Sequence, residues 1–368
     1  MSKCAVCKNE HTIIAQSLGV CKECIIKKKP NVEKFIFQAH KNARERFNLP
    51  AEPPKAENSS CILCAHHCGL QDNNVSYCGL RYSKDGTVIS LVSTKVGLLE
   101  YYFDPLPCNC CAAWFCPAGT GAGYPQFAYR NGPEYRYYNL SVFFYGCSFD
   151  CLYCQNYHHK NIKLGNKVSK SELLEAYKSN IRTSCVCFFG GSPEPHFSFA
   201  LAVSKSIYEY AQKHNRIARI CWEWNGYGNT RLVKRAAEIS LISGGNIKFD
   251  LKAFNSNLHK ALTGVDNKVV LKNFELVAKE YFDQRPDLPI LNATTLLVPG
   301  YIDEEEIEKI AEFIANLNDE IPYSLLGFAP QHEMIDLPYT SRELAERCYK
   351  VAKRHLKNVN IGNKHILV

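Results

Sequence analysis

LSVFFYGCSFDCLYCQN, residues 140–156, runs from a short apolar strand-like segment straight into three cysteines. Cys147, Cys151 and Cys154 follow the pattern CxxxCxxC, and Tyr153 stands directly before the last of them. Three thiolates set this closely can hold three irons of a cubane 4Fe–4S cluster and leave the fourth iron without a protein ligand.

Outward from this stretch the chain alternates short apolar runs with longer amphipathic segments. The further runs are SCVCFFGG (184–191), RIARICWEWNG (216–226), NIKFDLKAF (246–254), PILNATTLLVPG (289–300) and PYSLLGFAP (322–330). Between them lie SELLEAYKSNI, FALAVSKSIYEYAQKHN, TRLVKRAAEIS, VVLKNFELVAKEYF and DEEEIEKIAEFIANL, with apolar residues at helical spacing. The alternation predicts an α/β fold of six βα units, with a parallel sheet covered by helices. Six units fall two short of the closed eightfold barrel, so the expected architecture is an open, partial (β/α)6 TIM-like barrel. A last helix near 341–353 and a short strand, NVNIGN, complete it. In such folds the reactive groups gather at the C-terminal ends of the strands, which points to the tails YGC, GGSPEPH, EWNG, DLK, VPG and APQH.

Composition sets the outer bounds. The chain has 368 residues, 46% of them hydrophobic and 22% charged, ordinary values for a globular protein able to bury a large core. The N-terminal stretch lacks the apolar core of a signal peptide, and no apolar run is long enough to span a bilayer, so a cytoplasmic location with no membrane partner is expected. Residues 1–60 carry 11 Lys and Arg against 6 Glu and hold most of the net charge of +8. Such a bias is compatible with nucleic acid or an acidic partner, although KKK at Lys27–Lys29 reads more simply as a solvated loop.

Nineteen cysteines without a secretion signal argue for metal ligation over disulfides, and fifteen lie at or before Cys154. Residues 1–30 hold two CxxC pairs, Cys4 with Cys7 and Cys21 with Cys24, the arrangement of a structural Zn ribbon. Residues 31–60 read as a helix and a Pro-rich linker. Residues 61–139 form a Cys-rich auxiliary region, in which Cys61, Cys64, Cys68 and Cys78 suit either Zn or a second iron–sulfur cluster. There CNCCAAWFC adds Cys108, Cys110, Cys111 and Cys116, either metal-binding or a loop of buried thiols. Adjacent cysteines rarely face one metal, so one of Cys110 and Cys111 is expected to be a bystander. Residues 140–368 form the barrel.

With the triad placed after the first of six strands, the sequence resembles the radical S-adenosylmethionine superfamily, whose signature is CxxxCxxC with an aromatic before the last cysteine. The resemblance implies that the open iron chelates S-adenosylmethionine and that reductive cleavage yields a 5'-deoxyadenosyl radical, which takes a hydrogen atom from the substrate. FFGGSPEPH is similar to the family's glycine-rich motif, which carries over Gly190 and Gly191 as backbone near the methionine amino group. The family's acidic residue after the glycines is replaced here by Ser192, with Glu194 two places on. WEWNGYGN resembles the turn after the third strand, matching Glu223 and Asn225, and FDLKAF resembles the motif that sets Asp250 and Lys252 near the cofactor. The closing units, TTLLVPGYIDEEEIEKIAEFI and IPYSLLGFAPQHEM, resemble relatives of pyruvate formate-lyase activating enzyme. The resemblance therefore implies an anaerobic radical enzyme with a reductant partner such as ferredoxin or flavodoxin, activating a protein glycyl radical. Alternatives are radical modification of a small metabolite, peptide or tRNA, and a non-catalytic multi-metal electron carrier. His196 and His332 lie in strand-end loops that could bring them to cofactor or substrate, although a surface position is the expectation for both, and Trp222 and Trp224 are expected at core and rim of one strand.

Overall fold

The computed structural model describes residues 3–10, 13–55, 61–71, 73–108 and 110–368; the last five residues of the Pro-rich linker lie outside them. The strands are β1 (Arg81–Lys84), β2 (Thr87–Ser90), β3 (Val96–Pro105), β4 (Tyr138–Phe144), β5 (Asn166–Ser169), β6 (Thr183–Gly190), β7 (Arg219–Trp224), β8 (Ile247–Asp250), β9 (Leu291–Leu297), β10 (Tyr323–Gly327) and β11 (Val359–Gly362). The helices are α1 (Lys22–Ile26), α2 (Val32–Glu45), α3 (Pro117–Thr120), α4 (Lys170–Ser179), α5 (Phe197–Lys213), α6 (Thr230–Ser243), α7 (Ser256–Thr263), α8 (Lys268–Tyr281), α9 (Glu304–Ala315) and α10 (Arg342–Lys353).

β1 and β2 form a separate hairpin, and the rest build one nine-stranded sheet in the order β11-β10-β9-β8-β7-β6-β4-β3-β5. The six expected strands all run parallel in chain order, and β11 extends them by one parallel strand beyond β10. At the opposite edge β3 pairs antiparallel with β4, and β5 antiparallel with β3. β3 thus brings residues of the auxiliary region onto the barrel sheet.

The helix-facing side of the sheet is apolar and sealed: Val186, Phe188, Ile220, Trp222, Ile247, Phe249, Leu291 and Leu325 have no exposure. Trp224 is buried with Trp222, their rings 5.7 Å apart, which corrects its expected place at the rim. Residues two apart on a strand share one face, so both rings enter the same helix-side core. Local chemistry sets the helix ends. Ser169 and Ser341 cap α4 and α10 through their side chains, the acidic first turn of α9 follows Asp303, and α6 stops at Gly244 with φ +78°.

The N-terminal segment shares this core. Apolar residues from Cys4 to Val359 form one continuous buried cluster. Tyr301 Oη accepts from the Ala15 N–H at 3.0 Å and donates to the Val20 carbonyl at 3.1 Å, while Lys22 Nζ meets Asp303 at 2.5 Å. Lys27–Lys29 are exposed, as a solvated loop should be.

α2 is attached through buried charges. Its His40 Nδ1 lies 2.8 Å from Asp150 Oδ2 and its Arg44 3.7 Å from Oδ1, while Lys160 Nζ donates to Oδ1 at 2.5 Å. Burial alone would raise the Asp150 carboxyl, but Lys160, His40 and Arg44 outweigh it and hold the group well below the usual carboxylate range. Removing one partner of such a buried group strands the others. Asp150→Asn is therefore expected to destabilise the protein by about 3–5 kcal/mol, read as a fall in the urea unfolding midpoint; an unchanged midpoint would show that α2 docks without this clamp.

Candidate active site

The loop after β4 turns into the sheet's C-terminal mouth at Gly146, where φ is +83° and the N–H donates to the His159 carbonyl at 3.0 Å. A second loop, following β6, seats it. Gly191 N–H donates to the Phe144 carbonyl at 2.8 Å and Ser192 N–H to the Gly146 carbonyl at 3.2 Å. A Cβ on Gly191 would fall 2.2 Å from the Gly146 carbonyl oxygen, so only glycine permits this approach. The paired glycines fix where the cysteine loop sits.

Cys147, Cys151, Tyr153 and Cys154 then line one cavity together with Gly190, Gly191, Asn225, Asp250 and Lys252. Cys147 Sγ accepts from the Phe149 N–H at 3.3 Å and from Asn225 Nδ2 at 3.2 Å, bonds that favour a thiolate. His159 Nε2 is 3.7 Å from Cys154 Sγ, and burial with the neighbouring Lys160 charge pushes this imidazole down to about 3, so it is neutral.

Opposite the thiols, Asp250 accepts from Lys252 at 2.7 Å, from Lys248 at 3.1 Å and from Thr294 Oγ1 at 2.5 Å. Burial opposes ionisation, but Lys248 and Lys252 hold the Asp250 carboxyl well below its ordinary range. Lys248 and Thr294 were not singled out from the sequence. Both had a signal: Lys248 is two residues before Asp250 on the same strand face, and Thr294 is its register partner on β9.

Three matched residues lie elsewhere. Ser192 Oγ donates to Glu194, whose other oxygen accepts from the Tyr227 N–H at 3.1 Å, so this carboxyl ties the loop after β6 to the loop after β7. Burial pushes Glu194 up to about 7. Glu223 faces a neighbouring chamber under the sheet, within 3.1 Å of Lys248 and 3.4 Å of Cys110 Sγ. The two histidines are not at the surface. His196 is buried on the Phe144 ring with Nε2 2.8 Å from the Tyr145 carbonyl, and His332 stacks on Tyr157 while accepting from Lys160 Nζ at 2.9 Å. Polar partners inside the fold, invisible in a single stretch of sequence, draw both inward.

The remaining cysteines form distinct groups. Cys4 and Cys24 sulfurs are 3.8 Å apart and those of Cys7 and Cys21 3.7 Å, all four within 4.8 Å of one another. Cys61, Cys64, Cys68 and Cys78 pack beside the loop after β4: the Cys78 carbonyl abuts Gly146, and His66 Nε2 lies 2.6 Å from the Ser148 carbonyl. Among the described residues, neither these four nor the 147–154 triad come within the 4.8 Å spread of a single-ion group. Three cavity-facing thiols spaced more widely than one ion needs, with a backbone and an amide N–H on the Cys147 sulfur, fit a multi-iron cluster.

Among the described residues, three cysteines and no fourth line the cavity at the mouth of this parallel, partial barrel, the layout that the CxxxCxxC resemblance implies. Residues 141–314 match the Radical SAM superfamily. A protein of Methanocaldococcus jannaschii named as a glycyl-radical enzyme activating enzyme is 25% identical over 228 residues, 60% of this chain and 79% of its own length. The isethionate sulfite-lyase activating enzyme of Desulfovibrio desulfuricans is 34% identical over 149 residues, 39% of this chain and 43% of that enzyme. The pyruvate formate-lyase-activating enzyme of Clostridium pasteurianum is 25% identical over 216 residues, 55% of this chain and 82% of its own length. The chain is an enzyme that carries a radical SAM domain over residues 141–314 and is similar to proteins named as activating enzymes. No helix among the described residues is long and apolar enough to cross a membrane.

Gly191→Ala is expected to push the two loops apart and lower the iron retained after anaerobic reconstitution by half or more, with the far-ultraviolet circular dichroism unchanged. Full iron content would mean that the glycine contact does not seat the triad.

Proposed function

We propose that this enzyme generates a radical on a partner protein, as an activating enzyme for a glycyl-radical enzyme does. The observation that carries the reading is the single cavity in which three thiols at the head of the barrel face a lysine-held carboxylate; the names of the similar proteins support its extension to a protein substrate. When bound there, a 4Fe–4S cluster and S-adenosylmethionine supply one-electron C–S cleavage and hydrogen-atom abstraction.

The chain's own residues provide placement. Cys147, Cys151 and Cys154 would hold the cluster, with the N–H groups of Phe149 and Asn225 stabilising charge on the Cys147 sulfur. Gly190 and Gly191, which line the cavity without side chains, would leave room for the methionine end of the cofactor. Asp250, fixed by Lys248, Lys252 and Thr294, would offer an acceptor to the cofactor's ribose hydroxyls, and Lys252 a cation to its carboxylate. Tyr153, buried at the cavity wall, excludes water from the reacting atoms. Ser192 and Glu194 act as positioning residues for the two loops.

The upstream modules support this core. Tetrahedral bonds of about 2.3 Å would put four sulfurs ~3.8 Å apart around zinc, and Cys4–Cys24 and Cys7–Cys21 lie at 3.8 and 3.7 Å. Cys61, Cys64, Cys68 and Cys78 suit a second iron–sulfur cluster better than zinc. Their sulfurs spread beyond single-ion spacing, yet they lie near enough for Cys78, Cys68 and Cys61 to act electrostatically on Cys64. Packed against the loop after β4, such a cluster is placed to pass electrons from a ferredoxin or flavodoxin.

The test is electron paramagnetic resonance on the reconstituted full chain with dithionite, S-adenosylmethionine and a lysate of the source organism. A protein-borne radical that requires all four components is expected; 5'-deoxyadenosine formation with no such radical would overturn the protein-substrate reading.

A further inference from the structure

Seven cysteines that no step above uses converge on one place. The described residues of 106–119 fold across the face of the sheet opposite the helices, and Cys108, Cys110 and Cys116 line a chamber there with Cys185 and Cys187 of β6 and Cys221 of β7. Strand periodicity explains the convergence: positions 185 and 187, like 221 and 223, are two apart and share the inward face. Cys111 joins them from the same loop, which Ser324 on β10 holds by accepting from Trp114 Nε1 at 3.1 Å and donating to the Cys111 carbonyl at 3.2 Å.

Within the chamber the donors are not evenly spread. Cys110 Sγ, Cys111 Sγ and a Glu223 carboxylate oxygen all lie within 4.8 Å of one another. Both sulfurs of the adjacent pair lie near one point, beside a tight turn in which the Cys110 N–H donates to the Cys108 carbonyl at 2.8 Å. Cys110 Sγ is 3.4 Å from Glu223 Oε1 and also accepts from the Ala112 N–H at 3.4 Å. Cys187 Sγ stands 3.8 Å from the same carboxylate oxygen. Glu223 is oriented from behind by Lys248 at 3.1 Å.

We propose that Cys110, Cys111 and Glu223 form a metal site for a single thiophilic divalent ion of the zinc class. Two thiolates and a carboxylate suit Zn2+, whose preferred donors are sulfur, nitrogen and oxygen in tetrahedral array. Three protein donors leave one position open, unlike the closed set at Cys4, Cys7, Cys21 and Cys24, and an open position is what a ligand-binding ion keeps. The position faces a chamber that also includes Tyr102, Asp104 and Phe189, so it would accept a Lewis-basic group such as a thiolate, carboxylate or amine. Lys248 lines the thiol cavity at the barrel mouth and bonds both Glu223 and Asp250 at 3.1 Å, so it forms the wall between the two spaces. A molecule held by the ion sits directly behind that wall.

The test uses the full chain, reconstituted anaerobically with iron and sulfide and then equilibrated with Zn2+. Metal analysis is expected to show Cys110→Ser/Cys111→Ser holding one fewer zinc per chain than wild type, with the iron and sulfide counts unchanged. Because the variant can misfold, the deciding measurement is on wild type: alkylation of Cys110 and Cys111, followed by mass spectrometry, should slow at least about tenfold on adding Zn2+ and recover with chelator, while Cys221 is unaffected. Alkylation of Cys110 and Cys111 that is indifferent to Zn2+ overturns the proposal whatever the variant's metal count.

Discussion

One buried carboxylate organises the catalytic end of this molecule. Asp150 stands inside the cysteine motif, immediately before Cys151, with no solvent exposure of its own. A carboxylate there would be untenable alone. Lys160 from the loop following the motif and His40 and Arg44 from α2 surround it, so the motif's shape and the docking of the N-terminal helix are one electrostatic solution. The same Arg44 lies 3.4 Å from the centre of the Tyr77 ring, one residue before Cys78, which brings the second cysteine group into the same assembly.

The second organising feature is a row of alternating charges along the sheet's mouth. Glu223 on β7, Lys248 and Asp250 on β8 and Lys252 beyond it are linked by contacts of 3.1, 3.1 and 2.7 Å. Enclosure in the barrel would disfavour any of these charges singly, and it lifts Glu223 to about 7 against the pull of Lys248. Paired in a row, they present Asp250 as a fixed anion to one cavity and Glu223 as a donor to the other.

How much of this was legible in the sequence follows from whether the information was local. The six parallel strands declared themselves because each is a short apolar run between amphipathic helices, and the site motifs because each follows a strand end. β3 was not legible: its burial alternates irregularly, and its partner β4 lies more than thirty residues away. Trp224, His196 and His332 were misplaced for a related reason, since their partners come from other segments. The proximity of the Cys110 and Cys111 sulfurs was not legible either, since a turn bends the backbone there and Glu223, which lies beside them, belongs to a different motif. Lys248 is the instructive omission, because period-two reasoning from Asp250 would have found it.

The central claim is that the triad at residues 147–154 initiates radical chemistry. The most direct measurement is 5'-deoxyadenosine release from S-adenosylmethionine by the anaerobically reconstituted, reduced protein, with iron counted in parallel in wild type and in the Cys147→Ala/Cys151→Ala/Cys154→Ala variant. The account predicts release by wild type, with the variant losing about four irons per chain and all cleavage. A wild type that binds iron yet never cleaves the cofactor, or a variant that still cleaves it, would contradict the account.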